Sequence, residues 1–237
     1  PSVRGHGFEE RFLSGAGRRK VVKMTRGTRI AIKTQVWILC LLPLGALLYW
    51  ADMADLTANP ISFITNWLGD WTLRILLVGL ALTPLRILTG VAWPLVLRRL
   101  IGLFAFAYAT LHFSVWLVLD HFFNWPEMGA DILKRRYITV GMLALTLLIP
   151  LAVTSTNQMV KRLGGKAWRR LHRLVYVTAM LAVIHFLWLE KVGRHTAFYY
   201  AGILLVLLGV RAVDTVRRSL RKKGAVSPLA VPSRRRA

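Results

Sequence analysis

Residues 98–119 read RRLIGLFAFAYATLHFSVWLVL, and residues 169–189 read RRLHRLVYVTAMLAVIHFLWL. Each stretch opens on two arginines, runs apolar for about the length of a membrane crossing, and carries a histidine late, His112 in the first and His185 in the second. A titratable ring at membrane depth is expensive and marks a functional site by default. Histidine is also the side chain that ligates haem iron through a neutral imidazole.

Working outward, four more apolar runs complete a set of about six: 32–50, 71–88, 138–153 and 197–213, besides 100–119 and 171–189. All read as helices, because a span in lipid must satisfy its backbone hydrogen bonds internally. The second is expected to break near Pro84, and the fourth is at the short limit for a span. The fold class is therefore an all-α membrane protein, with a basic N-terminal tail over 1–29, a transmembrane domain over 30–216 and a basic tail over 217–237. Met24 precedes the first apolar run and is a candidate start, with residues 1–23 an upstream extension. No cleavable signal peptide is recognised.

Composition agrees. Of 237 residues 55% are hydrophobic, with mean hydropathy +0.49, greasier than a soluble domain. The net charge of +23 would suit nucleic acid, but the basic residues lie between and beyond the apolar runs. Placing both termini in the cytoplasm puts 27 of the 33 lysines and arginines inside and 6 outside, as the positive-inside rule demands. Topology thus accounts for the charge and nucleic-acid binding is set aside. The one outer basic cluster, Lys134-Arg135-Arg136, reads as an interfacial anchor or as a dock for an acidic partner. Cys40 is the lone cysteine, so an intrachain disulfide and a cysteine-based cluster are excluded.

The third and fifth runs cross in the same direction, so His112 and His185 lie at matched depth toward the outer half. Two such imidazoles can clamp one haem iron from both faces, leaving no open axial position, which makes an electron carrier. His172 lies 13 residues before His185. On one continuous helix that is about 20 Å along the axis and about 140° around it, so the two do not share a face. Near the inner interface, His172 has three readings: ligand to an inner haem with an unusual partner, contact to a flavin or quinone, or an interfacial cap. Arg98, Arg99, Arg169 and Arg173 either snorkel to headgroups or grip haem propionates or a flavin phosphate. Arg74 is expected near a propionate of the outer haem. His6, His121 and His195 read as tail or loop residues.

The run from Arg98 to His112, the stretch from Trp168 to Tyr176 followed by His185 and Trp188, the segment from Asp131 to Gly141, and Thr83-Pro84-Leu85-Arg86 together resemble the MsrQ family, over about residues 30–220. That family sits in the ferric-reductase-like transmembrane group. The resemblance implies a multi-pass b-type cytochrome of the bacterial inner membrane with a haem-binding bundle. It implies haem b with His112 and His185 as ligands, His172 matching a third family histidine, and FMN without a site that can be mapped here. It implies a periplasmic molybdopterin partner, MsrP, that reduces methionine sulfoxide in oxidised proteins. The electron donor implied is a quinone or a cytosolic flavin reductase. The chain would then be an electron-transfer subunit, docking its partner through the Asp120–Tyr137 loop and the 190–196 loop. Two alternatives stay open: a stand-alone transmembrane ferric or quinone reductase, and a non-redox scaffold or transporter with packing histidines.

Overall fold

The computed structural model describes residues 25–53, 56–189 and 195–225. His6, Met24, the whole of the basic tail beyond Ala225 and residues 190–194 of the outer loop lie outside the described residues. Among the described residues eight α-helices follow in order: α1 Arg26–Asp52, α2 Pro60–Thr89, α3 Arg98–Val115, α4 Trp125–Lys134, α5 Arg136–Val153, α6 Asn157–Leu171, α7 Leu174–Leu189 and α8 Thr196–Ala225. A 3₁₀ turn, Trp93–Leu97, leads into α3, and a π turn, Trp116–Asp120, continues it. Five of the described spans are long and apolar enough to cross a membrane, and the bent pair α6–α7 supplies a sixth. The chain is an all-α, multi-pass membrane protein.

Two helix pairs make the frame. α2 lies along α3, α5 lies along α7, and contacts of α3 with α5 and of α2 with α7 join the pairs. α8 closes against α2 and α7, while α1 leans on α2 and α3 with Leu39, Leu42 and Leu48 exposed on its far side. Lipid tails are as apolar as leucine, so burial alone does not drive these helices together and close approach matters more. Gly79 of α2 is one such approach: a Cβ there would stand 3.2 Å from Ile101 Cγ2 of α3. α1 is held by polar ties around its internal Pro43. Trp67 Nε1 donates to the Pro43 carbonyl at 3.0 Å, and the Tyr108 hydroxyl donates to the Cys40 carbonyl at 2.7 Å.

Three sequence expectations need correction. α2 starts at Pro60, well before the expected 71, and it does not break at Pro84. Asn59 caps its start by accepting from Ser62 N–H, Pro60 takes the first turn, and Gly90 ends it in the left-handed conformation (φ 75°), the usual asymmetry of helix ends. Proline at 84 removes the amide that would bond the Leu80 carbonyl. Arg211 of α8 supplies the missing donor, its Nη2 bonding the Leu80 carbonyl, and the helix runs on. Second, the fifth span is not one helix from Leu171. It breaks at His172 and Arg173, and α6 and α7 meet at 43°. The angular argument relating His172 to His185 on a continuous helix therefore does not apply. Third, the two long loops are helical. α4 fills the loop before α5 and α6 the loop after it, with α6 interrupted at Gly164, whose φ of 74° favours glycine.

Candidate functional site

His112 and His185 project from α3 and α7 into one cavity of about 550 Å³ enclosed by α2, α3, α5 and α7. Their ring centroids are 6.2 Å apart and their planes cross at 83°. The two rings are seated in the same way. His112 Nδ1 lies 2.8 Å from the Thr65 carbonyl of α2, and its ring rests on Gly69, where a Cβ would stand 3.1 Å from Cε1. His185 Nδ1 lies 2.6 Å from the Tyr137 carbonyl of α5, and its ring rests on Gly141, where a Cβ would stand 2.7 Å from Nδ1.

Helix geometry explains the repeat. A helical carbonyl points toward the residue four positions on, so a ring that bonds the carbonyl lies over that residue. Glycine four residues after Thr65 and after Tyr137 is what lets each imidazole lie flat on the neighbouring helix. A carbonyl oxygen can only accept, so each Nδ1 carries the proton. In the neutral ring each Nε2 then keeps a free lone pair, the arrangement by which backbone carbonyls orient metal-binding histidines. The spacing suits one metal between two rings. Two metal–imidazole bonds of about 2.1 Å, with about 1.1 Å from nitrogen to centroid in each ring, separate the centroids by roughly 6.4 Å.

The cavity is amphiphilic. Leu73, Leu76, Leu145, Leu148 and Ala182 line its depth, and its open end is polar, with Asn59, Ser62, Asn66, Asp70, Asp120 and Arg135. α2 extends past its apolar run because its polar first turns form this rim. At the same end His121, only 6% exposed, is packed against Trp116 at 4.6 Å. Its Nε2 lies 3.3 Å from Asp131 Oδ2 and its Nδ1 3.6 Å from Asp120 Oδ2. His121 does lie in a loop, the bend between the π turn and α4, but there it is buried and bound to carboxylates; His195 near Phe198 is exposed.

The remaining expected residues lie elsewhere. Arg74 does not line the cavity. Its Nε donates to the Tyr200 hydroxyl at 2.8 Å, Nη2 meets Asp70 at 3.3 Å, and its guanidinium lies over Trp71. Its bearing on the site is indirect, through Asp70 of the rim. His172 sits at the α6–α7 break, stacked on Trp168 at 3.9 Å, with Nδ1 3.1 Å from the Trp168 carbonyl and Nε2 buried without a well-formed hydrogen bond. The Arg99 guanidinium covers the same indole at 5.4 Å and bonds Asn157. Arg98 begins α3 beside Arg99 and, with it, acts electrostatically on His172. Arg169, in the last turn of α6, and Arg173, in the break itself, are exposed. The structure thus brings His112 and His185 together and gathers His172, Arg98 and Arg99 at a separate locus.

Sequence reasoning gave no role to Thr65, Gly69, Gly141 and Trp116, read Tyr137 only as the end of a docking loop, and read Arg135 only as part of an interfacial or docking cluster. The glycines carried a usable signal, since small residues in spans mark close approach. Which ring each one meets is a tertiary fact.

Residues 55–183 match the family described as ferric reductase like transmembrane component. Curated relatives named protein-methionine-sulfoxide reductase heme-binding subunit MsrQ match most of the chain. The one from Herminiimonas arsenicoxydans is 53% identical over 76% of this chain and 84% of its own length. The one from Ralstonia nicotianae is 47% identical over 86% and 94%, and the one from Rhodospirillum rubrum 53% identical over 77% and 88%. No solved structure matches.

Proposed function

The chain belongs to the MsrQ family of ferric-reductase-like transmembrane proteins, and from that premise we propose that it is a membrane b-type cytochrome that hands electrons to a methionine sulfoxide reductase. The observation that carries the reading is the pair His112 and His185, 6.2 Å apart across a cavity of 550 Å³, each with Nδ1 bonded to a backbone carbonyl. His112 and His185 would hold a haem b there, and the haem would supply one-electron transfer. The chain's own residues do the rest. The Thr65 and Tyr137 carbonyls fix the tautomer and the ring planes, Gly69 and Gly141 fix ring depth, and the leucine-lined interior keeps water from the metal site.

The orientation in the membrane follows from charge. With 27 of 33 basic residues on the side of the termini, that side is cytoplasmic, and α4 and the polar rim face the periplasm. The partner is a periplasmic MsrP-like catalytic subunit that meets the 120–137 segment. The donor, a quinone or a cytosolic flavin reductase, meets the opposite side, where His172, Arg98 and Arg99 cluster and Arg169 and Arg173 are exposed. The same arginines are where the phosphate of an FMN would be met. The host membrane is a bacterial inner membrane.

The test is a reduced-minus-oxidised spectrum of the detergent-purified protein with haem measured per chain. A b-type spectrum that disappears in both His112→Ala and His185→Ala is expected. A well-folded colourless protein, or full haem in both variants, overturns the reading.

A further inference from the structure

Among the described residues, the polar end of the cavity holds one lining arginine, Arg135, and its surroundings are built. Arg135 is the single extended residue (φ −111°, ψ 93°) between α4 and α5. It is the corner at which the chain turns from the amphipathic helix into the span. Thr139 fastens that corner, its hydroxyl donating to the Ile132 carbonyl at 2.8 Å. The guanidinium is held at two points: Nε meets Asp131 Oδ1 at 3.3 Å and Nη1 donates to the Tyr137 hydroxyl at 3.3 Å. Asp131 is itself fixed, its second oxygen 3.3 Å from His121 Nε2. Tyr137 also accepts from His185 through its carbonyl, so one residue links the arginine to a proposed metal-binding ring.

We propose that Arg135 anchors a carboxylate of the cofactor at the open end of the cavity, and that Asp131 and His121 are positioning residues that hold the guanidinium there. This rests on the haem reading above and deepens it. An amphiphilic ligand with an apolar body and carboxylates at one edge matches a cavity that is leucine-lined in depth and polar at its mouth. Asp70 and Asp120 also line that mouth, but Asp70 is engaged by Arg74 and Asp120 faces His121 at 3.6 Å. Arg135 is therefore the cation that offsets them and receives the ligand's charge, a role the sequence alone had assigned to Arg74.

The experiment is a titration of the full-length chain, purified in detergent from haem-deficient cells, with haem and with haem whose two carboxylates are methyl esters. Binding is read at the Soret band. The unaltered chain binds free-acid haem more tightly than the ester by about tenfold or more, the scale of one charge-assisted hydrogen bond. Arg135→Gln abolishes most of that preference while still binding the ester, and Arg135→Lys restores part of it. The neighbouring Arg136→Gln retains it in full. Asp131→Asn reduces the preference without removing haem binding. Equal binding of both haems by the unaltered chain overturns the proposal whatever the variants do, and so does an unchanged preference in Arg135→Gln. A folded chain that takes up neither haem fails the cytochrome reading instead.

Discussion

Gly141 leaves no room for a methyl group, because a Cβ there would stand 2.7 Å from the nitrogen through which His185 is oriented. Alanine at 141 must push the imidazole off the Tyr137 carbonyl. Alanine at 69 is gentler, with the nearest ring atom of His112 at 3.1 Å. The expected outcome is a graded loss: Gly141→Ala lowers haem per chain several-fold, Gly69→Ala lowers it less, and neither prevents insertion of the protein in the membrane. Equal haem content in both variants and the parent would show that ring seating does not matter. At this scale the histidines were legible in the sequence because charge-capable rings are conspicuous in apolar runs. Their seats were not, since a glycine opposite a ring differs from any other helical glycine only in what the fold brings against it. Arg135 was hidden for a similar reason, being one of three consecutive basic residues, of which the backbone turns one into the cavity.

Helix α2 passes through Pro84 because a neighbour repairs it. The Leu80 carbonyl, deprived of its amide partner, accepts from Arg211, whose guanidinium also lies over Tyr176 at 5.1 Å. Removing that donor costs about 1–3 kcal/mol, the penalty of a buried polar group left unmade. Arg211→Met is therefore expected to lower the thermal midpoint of the detergent-solubilised protein. Pro84→Ala returns an amide to the carbonyl, so Arg211→Met should cost less in the Pro84→Ala background than alone. Strict additivity in that double-mutant cycle would contradict the pairing. Proline's local preference is for a break, and tertiary packing overrides it. The opposite happens at His172. Nothing in Leu171-His172-Arg173-Leu174 stops a helix, yet Trp168, anchored to the Thr154 carbonyl at 2.9 Å and stacked on His172, holds the chain at the bend. The apolar runs thus identified the spans well, while their ends and breaks depended on contacts from other helices.

For the molecule as a whole, charge and shape assign two different sides. The side of the termini carries 27 of the 33 lysines and arginines, and the open, polar end of the cavity carries α4. A fluorescent protein fused after the last residue is expected to fold and fluoresce, and alkaline phosphatase fused there to stay inactive. An active phosphatase at that position would invert the orientation and with it the direction of electron flow. The central claim, that one haem iron is held by His112 and His185, is tested most directly by low-temperature electron paramagnetic resonance of the oxidised, purified protein. Imidazole planes crossed at 83° act almost equally on the two iron orbitals that interact with them, leaving those orbitals nearly degenerate. The expected spectrum is a strongly anisotropic low-spin ferric signal that is lost in His112→Ala and in His185→Ala. A high-spin signal in the parent protein, which requires an open or weakly held axial position, would contradict the claim.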